Sequence, residues 1–258
     1  MPFLIATEPG DPGRPNEDFA AATATSAVLL DGATAPDGLD DGCSHGVAWY
    51  TRRLGALLLA GADAGAPLRD SLAEAIATAS ALHADTCDLD NRQTPSATVV
   101  AVRVGGGRLE YLVLSDSVLL VEDGAGGAVV VADTRLDDLR ADPDRRGAVR
   151  DLRNVPGGFW TAGADTRAAE EAITGTLPAR PFAAMTDGAG RVAETFGDLD
   201  WGQILVLVSD KGPRSLVDRV RVLERADPER SEFPRGKVSD DATVLAWAPE
   251  GQFRSCSN

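Results

Sequence analysis

The sequence predicts an α+β protein in which helices cover a mostly antiparallel β-sheet. Three observations favour this class: several apolar runs have strand character, Gly-rich turns join three of them in succession, and two stretches of helical periodicity lie between strands. Helices inserted between strands of one sheet must cover a face of that sheet. A chain of 258 residues could form one large domain, and no stretch has the composition of a linker. We therefore expect a single domain over 1–258, with a polar tail from about 250.

The strand predictions rest on runs of β-branched and apolar residues that are bounded by turn residues. They cover 3–7, 27–31, 97–104, 108–123, 127–133, 181–187 and 242–249. Three glycines separate 97–104 from 108–123, which predicts a hairpin, and 127–133 follows another Gly-rich turn. The sequence therefore predicts a meander of antiparallel strands.

Two long helices are predicted between the second strand and the hairpin, over 44–62 and 67–89. In each, apolar residues recur at spacings of three and four, as on the buried face of an amphipathic helix. Further helices are predicted near 165–175, 198–209 and 212–227. The segment 134–165 is rich in Arg, Asp and Gly and has weak periodicity, so we predict a mobile surface segment there.

Charge, hydropathy and cysteine content argue against several classes of function. The net charge of -15 repels phosphate backbones and anionic lipid, so we expect neither nucleic acid nor a membrane as a partner. The apolar runs are shorter than a membrane span, and the N-terminus lacks the basic segment of a secretory signal. We expect a cytoplasmic monomer. Cys43, Cys87 and Cys256 are few and far apart, so we expect free thiols and neither a disulfide framework nor a Cys-based zinc site.

Aspartates recur at the ends of the apolar strands. Asp31, Asp116 and Asp187 each follow or end a strand, and Asp240 precedes the last one. If antiparallel strands bring these ends to one rim, the carboxylates repel one another unless some are protonated or a divalent cation neutralises them. Ligands that offer only oxygen select hard ions such as Mg²⁺ or Mn²⁺ over zinc. For any one Asp-Gly pair taken alone, a plain turn remains the more common alternative.

Five segments in order favour the metal-site interpretation. They are RPNEDFA, AVLLDG, the paired runs from SATVVAVRV to LEYLVLSDS, AAMTDG and DDATVLAW. In order and rough spacing, over about residues 14 to 248, they resemble the signature segments of the metal-dependent serine/threonine phosphatases of the protein phosphatase 2C type. The resemblance implies a four-layer αββα sandwich of two antiparallel sheets flanked by helices. It also implies a phosphorylated protein substrate, hydrolysed by a water that bridges two Mn²⁺ or Mg²⁺ ions.

The resemblance also implies a set of metal ligands. Asp31 would bridge the two ions, and the carbonyl oxygen of Gly32 would bind one of them. The resemblance assigns the remaining carboxylates in two pairs, Asp187 with Asp240 on one ion and Glu17 with Asp18 on the other, directly or through water.

Three positions depart from the family pattern. Ala33 stands where some members have a histidine proposed as general acid; His45 could replace it, or could be a surface or packing residue. Arg14 is the local candidate for the phosphate-binding arginine, one residue closer to the acidic pair than usual, or it is an exposed loop residue. Asp116 matches an aspartate of a third, weaker metal position, but Arg191 occupies the place of another one. We therefore expect the third site to be degraded or absent, with Asp116 kept as a supporting acid.

These departures leave two other functions open. A phosphatase-like fold that has lost turnover could serve as a regulatory or binding module. Alternatively, the same metal centre could hydrolyse small phosphorylated metabolites rather than phosphoproteins. Both alternatives keep the predicted fold. The binding module differs from the phosphatase hypothesis in metal affinity, and the metabolite hydrolase differs from it in substrate preference.

Overall fold

The computed structural model describes residues 2–33 and 40–249; the predicted tail from about 250, with Cys256, lies outside them. The strands within these ranges are β1 (Leu4–Glu8), β2 (Phe19–Ala22), β3 (Ser26–Ala33), β4 (Ser96–Gly105), β5 (Arg108–Leu114), β6 (Val118–Glu122), β7 (Ala128–Val131), β8 (Ile173–Pro178), β9 (Phe182–Met185) and β10 (Ala242–Trp247). The helices are α1 (Val47–Asp63), α2 (Leu68–Ala81), α3 (Arg135–Ala141), α4 (Asp187–Glu194), α5 (Trp201–Lys211) and α6 (Arg214–Ala226), with 3₁₀ turns at Arg146–Leu152 and Thr166–Ala169. None of these helices is both long and apolar enough to cross a membrane.

The strands form two antiparallel sheets of five strands each. The first sheet has the order β1-β10-β9-β6-β7, and the second has the order β2-β3-β4-β5-β8. Their inner faces pack together through apolar side chains, among them Leu29 and Val100 from the second sheet and Leu119 and Leu245 from the first. Helices α1 and α2 cover the outer face of the second sheet, and α4, α5 and α6 cover that of the first. The prediction of a four-layer αββα sandwich is confirmed.

Strand β3 shows why an apolar run without alternation leads to Asp31. Both of its faces are buried, because Val28 and Leu30 pack under the helices while Ala27 and Leu29 face the other sheet. A strand between two layers needs apolar side chains at every position, since successive side chains point to opposite faces. Burial on both sides therefore fixes the strand end from which Asp31 projects.

Two predictions about the sheet are wrong. The run 108–123 is two strands, because the chain breaks at Ser115, which has a positive φ of 66°. Strand β5 stays in the second sheet, whereas β6 crosses to the first and pairs there with β7 and β9. The strands are consequently divided between two sheets and do not form one meander.

Most of the predicted helices are present in the structure, but some of their boundaries differ from the prediction. Helices α1, α2, α5 and α6 lie close to the predicted ranges, but α2 ends earlier, at Ala81. The helix predicted near 165–175 is a 3₁₀ turn followed by β8, and neither β2 nor α4 was predicted. The segment 134–165, predicted to be mobile surface, contains α3 and the buried side chains of Leu136 and Phe159, which pack together. Its apolar residues thus give it a small core of its own.

Candidate active site at the rim of the two sheets

The aspartates at the strand ends line one pocket of about 350 Å³. Asp31 comes from the end of β3, Asp116 from the break between β5 and β6, Asp187 from the start of α4, and Asp240 from the segment before β10. Strands β3 and β5 belong to one sheet and β9 and β10 to the other, so the pocket lies at the rim where the sheets meet. A larger groove of about 860 Å³ lies along α5 and α6, and none of the predicted site residues lines it.

Two glycines allow the chain to approach closely at this rim. A Cβ on Gly32 would overlap the side chain of Val47 and would lie 2.8 Å from the carbonyl oxygen of Glu17. A Cβ on Gly188 would overlap the carbonyl oxygen of Asp241. Because no larger residue fits after the aspartate in either place, both Asp-Gly pairs are sites of close packing rather than plain turns.

Acidic side chains are crowded around Asp31. Asp187, Asp18 and Asp116 all lie near enough to repel a charge on Asp31. Burial, together with this repulsion, raises the pKa of Asp31 well above its usual range. Burial and repulsion from Asp187 also raise the pKa of Asp116 to about 6, against the opposing effect of Arg140. Negative charge is therefore in excess at this point of the pocket.

Asp18 is a buried acid, and only one of its two carboxylate oxygens accepts a hydrogen bond from the residues that the structure describes. The residue is 6% exposed, and its Oδ2 accepts a hydrogen bond of 3.0 Å from the hydroxyl of Thr186. Its Oδ1 is buried and has no hydrogen-bond partner in the part of the chain that the structure describes. Burial, with repulsion from Asp241 and Asp187, raises the pKa of Asp18 to about 8. A cation bound at Oδ1 would satisfy this atom.

Asp240 differs from the other acids because both of its oxygens already face cations. Arg191 lies 2.7 Å from Oδ2, and Lys237 lies 2.8 Å from Oδ1. The other end of the Arg191 guanidinium is 3.0 Å from Glu224, whose side chain is fully buried. Arg191, which the sequence suggests would weaken a third metal position, is thus paired with one of the predicted metal ligands.

Glu17 and Arg14 line a smaller cavity of about 50 Å³ that adjoins the pocket. The two cavities share Lys237 and Asp240 on their walls. The backbone N–H of Glu17 donates a hydrogen bond of 2.6 Å to Asp241, which ties the acidic pair of the N-terminal segment to the start of β10. Arg14 is exposed on this cavity. The structure therefore brings Glu17 beside Asp240 and leaves Arg14 one cavity away from Asp31.

Two arginines of the pocket were not predicted from the sequence. Arg140, from the last turn of α3, has its guanidinium 3.8 Å from Asp116. Arg153 lies after the first 3₁₀ turn and donates a hydrogen bond of 3.3 Å to the hydroxyl of Ser96. Both come from the segment 134–165, in which charges of both signs alternate and which was predicted to be a mobile surface segment. Alternating charge alone does not distinguish an arginine that faces a pocket from one that faces solvent.

His45 lies in a different group of side chains. Its Nδ1 is 3.4 Å from the sulfur of Cys87, and Cys43 and His83 complete a set of four ligand atoms that all lie within 4.8 Å of one another. None of the four lines the pocket of Asp31. The expectation that the cysteines encode no Cys-based zinc site rests on their spacing alone and stays a prediction, although folding brings two of them beside both histidines of the chain.

The aspartates are arranged more loosely than this Cys/His group. Within residues 2–33 and 40–249, only the Cys/His group has three or more Cys, His, Asp or Glu ligand atoms that all lie within 4.8 Å of one another. The carboxylates consequently surround the pocket without meeting at a single point.

Neither a scan against protein-family models nor a search of curated proteins found a match. Solved structures match over nearly the whole chain. The serine/threonine phosphatase PstP/Ppp of Mycobacterium tuberculosis is 18% identical, with 95% of this chain and 97% of that chain covered and a TM-score of 0.57. Stp1 of Staphylococcus aureus, also a serine/threonine phosphatase, is 14% identical, with coverages of 96% and 95% and a TM-score of 0.62. The PstP catalytic domain in complex with two manganese ions is 17% identical, with coverages of 95% and 96% and a TM-score of 0.59.

Proposed function

Because the chain has the fold of the PPM-type serine/threonine phosphatases, we propose that it is a metal-dependent phosphatase acting on phosphoserine and phosphothreonine in proteins. The observation that carries the proposal is the crowding of carboxyl groups around Asp31 at the rim of the sheets. Like charges repel strongly where the dielectric constant is low, and divalent cations relieve that repulsion. Strongly perturbed acids in a pocket are also typical of catalytic sites.

The donor set suits two divalent cations. The proposed ligands all offer oxygen, and they are Glu17, Asp18, Asp31, the carbonyl of Gly32, Asp187 and Asp240. Oxygen ligands favour hard ions, so Mn²⁺ or Mg²⁺ is expected. The buried Oδ1 of Asp18 is an acceptor that such an ion would satisfy. Carboxylates spread around a pocket fit two ions better than one ion, and the two manganese ions of PstP support this number.

The residues of the chain itself would bind and orient the substrate. When bound at these carboxylates, two divalent ions would supply a water of lowered pKa and would neutralise charge on the phosphoryl group. Arg140 and Arg153 line the same pocket, and their guanidinium groups suit paired hydrogen bonds to a phosphate. Arg14, on the adjoining cavity, is the alternative phosphate ligand. His45 is the least supported general acid, since its cluster does not line the pocket, and the leaving group would then take its proton from water.

A regulatory or binding module without turnover is the second candidate. The pairing of Asp240 with both Arg191 and Lys237 favours it, because a metal ion at Asp240 must compete with two cations. Calorimetric titration with Mn²⁺ separates the two functions: an enzyme binds two ions and turns over, whereas a module binds fewer ions and releases no phosphate. Turnover of small phosphate esters far above that of phosphopeptides would instead favour the metabolite hydrolase.

The direct test is phosphate release from a phosphothreonine peptide by the full chain. We expect activity that requires added Mn²⁺ or Mg²⁺, disappears with EDTA, and is lost in Asp31→Asn. Asp210→Asn, an exposed aspartate of α5, is the matched control and should keep full activity. A wild-type protein that releases no phosphate at any metal concentration would contradict the proposal. The cytoplasmic location and the monomeric state stay predictions.

A further inference from the structure

The two histidines of the chain lie beside two of its three cysteines, outside the pocket of Asp31. Cys43 and His45 come from the segment just before α1, and His83 and Cys87 come from the turns after α2. Helices α1 and α2 are joined by a short connection and pack together on the second sheet, so they run antiparallel. The start of α1 and the end of α2 are therefore neighbours, and each contributes one cysteine and one histidine.

The separations among these atoms suit ligands around a single tetrahedral ion. The sulfurs of Cys43 and Cys87 are 3.3 Å apart. Nδ1 of His83 is 3.6 Å from the Cys43 sulfur, and Nδ1 of His45 is 3.4 Å from the Cys87 sulfur. Zinc bonds of about 2.3 Å to sulfur and about 2.0 Å to nitrogen place tetrahedral ligand atoms about 3.5 to 3.8 Å apart. The observed separations differ from these by less than about half an ångström.

Aromatic packing holds both imidazoles in place. The ring of Trp49 lies 4.3 Å from that of His45 and 5.3 Å from that of His83, measured between centroids. His83 is 2% exposed, and both cysteines are half-buried, whereas His45 lies on the exposed side. The ring contacts and the burial of His83 restrict the orientation of both imidazoles.

The chemistry of the four side chains selects the metal. Thiolate and imidazole ligands suit zinc, whereas Mg²⁺ and Mn²⁺ prefer oxygen. Four protein ligands also complete a tetrahedron and leave no open position for a substrate.

We propose that Cys43, His45, His83 and Cys87 form a structural Zn²⁺ site, distinct from the carboxylate pocket. The ion would join the start of α1 to the end of α2. It would also support the pocket indirectly, because α1 begins at Val47, whose side chain lies against Gly32 beside Asp31.

The test is metal analysis of the full chain, purified without a histidine tag and dialysed against EDTA under conditions that remove manganese. We expect about one zinc ion per chain to remain. Replacement of the zinc ion by Co²⁺ should give the intense visible absorption of a tetrahedral site. It should also give the charge-transfer absorption of thiolate ligands. Both measurements use the wild-type protein, so they do not depend on whether a variant folds.

Variants then locate the ion. Cys43→Ser combined with Cys87→Ser should lose the zinc and the cobalt spectrum, whereas Cys256→Ser, the same change at the third cysteine, should keep both. Asp31→Asn should keep the zinc while losing manganese and activity, so that failure of the zinc proposal and failure of the phosphatase proposal are distinguishable. Wild-type protein from zinc-supplemented cells that contains no zinc, or a Cys43–Cys87 disulfide in place of the metal, would overturn the proposal.

Discussion

The carboxylate pocket and the Cys/His cluster are two groups of potential metal ligands that the fold assembles in opposite ways. The pocket is lined by one or two residues from each of several strand ends, and these residues surround a volume of about 350 Å³ between the sheets. The cluster takes two residues from the segment before α1 and two from the turns after α2, and it holds all four ligand atoms within 4.8 Å of one another. A spread set of oxygens suits two hard ions and a substrate between them, whereas a compact set of sulfur and nitrogen suits one ion and nothing else. Ligand type and spacing would thus direct different metals to the two sites of one chain.

The largest effect is expected for Asp31→Asn, which removes the shared charge of the pocket and leaves the cluster intact. Loss of the carboxylate that is proposed to bind both ions should reduce phosphate release at least about 10³-fold, since metal-assisted hydrolysis supplies several kcal/mol of transition-state stabilisation. Initial rates on a phosphothreonine peptide at saturating Mn²⁺ measure it. Retention of more than a tenth of wild-type activity would mean that the pocket is not the catalytic site.

Removal of the proposed zinc ligands should act mainly on stability. A ligand present at about 100 to 1000 times its dissociation constant stabilises a protein by about 3 to 4 kcal/mol, so Cys43→Ser with Cys87→Ser should lower the Tm by roughly 10 °C. Activity at low temperature should fall less than about tenfold, because Val47 couples the cluster to Gly32 only through packing. Thermal unfolding with zinc added before the scan measures the shift, and Cys256→Ser should show none.

Arg191→Gln tests whether the guanidinium opposes a metal ion at Asp240. Removal of the positive charge should tighten Mn²⁺ binding about tenfold, as expected for about 1.4 kcal/mol of repulsion at a partly buried site. It should also cost about 3 kcal/mol of stability, because buried Glu224 keeps only one of its two arginine partners. Arg221→Gln is the matched control: it removes the other partner of Glu224 and should destabilise the protein without changing Mn²⁺ affinity. Equal affinities in the two variants would refute the competition.

The two sites should respond to pH with opposite signs. Asp18 has its pKa raised from 3.8 to about 8 by burial and repulsion, so between these values the folded state binds more protons than the unfolded state. The free energy of unfolding of the metal-free protein should therefore fall as pH rises, and its Tm should fall with it by roughly 10 °C between pH 5 and 8.5. Asp18→Asn should reduce this slope. Zinc should instead be released as pH falls, because its thiolate ligands are protonated. A metal-free Tm that rises over the same pH range would contradict the assignment of Asp18.

The smallest effect is expected for Lys237→Gln. The side chain of Lys237 is 55% exposed, so solvent screens its pairing with Asp240 far more than that of Arg191. Mn²⁺ affinity should rise only about twofold to threefold. Titrations of this variant and of Arg191→Gln under the same conditions rank the two cations, and a larger gain from Lys237→Gln would reverse the ranking proposed here.

The parts of the fold that sequence predicts well are long and strongly patterned. Strand β3 is a continuous apolar run, and α1 and α2 carry clear helical periodicity. The missed elements have weak local signals: β2 reads FAAA, β8 contains Gly175 and Pro178, and α4 contains Gly188 and Gly190 within eight residues. Helix α4 forms nevertheless, because Ala189 and Val192 are buried against the first sheet. These missed elements depend on packing against residues that are distant in the sequence, and a local sequence pattern carries no information about such residues.

The residues of the candidate site also differ in whether a local sequence pattern identifies them. Asp31 and Asp187 can be found in the sequence because each ends an apolar run and precedes a glycine. The pairing of Arg191 with Asp240 joins residues 49 positions apart, and no local pattern encodes it. The Cys/His cluster was missed for a related reason: Cys43 and Cys87 are distant in sequence, and only the antiparallel helix pair brings them together.

The break at Ser115 has a mechanical consequence. At this residue the chain leaves one sheet and enters the other, and the next residue, Asp116, is a wall of the pocket. Ions bound both by Asp31, at the end of a strand of one sheet, and by Asp187, which follows a strand of the other, would cross-link the two sheets close to this crossing. Movement of one sheet relative to the other would then require dissociation of the metal ions. Metal binding should therefore stabilise both sheets and slow amide exchange in both of them together.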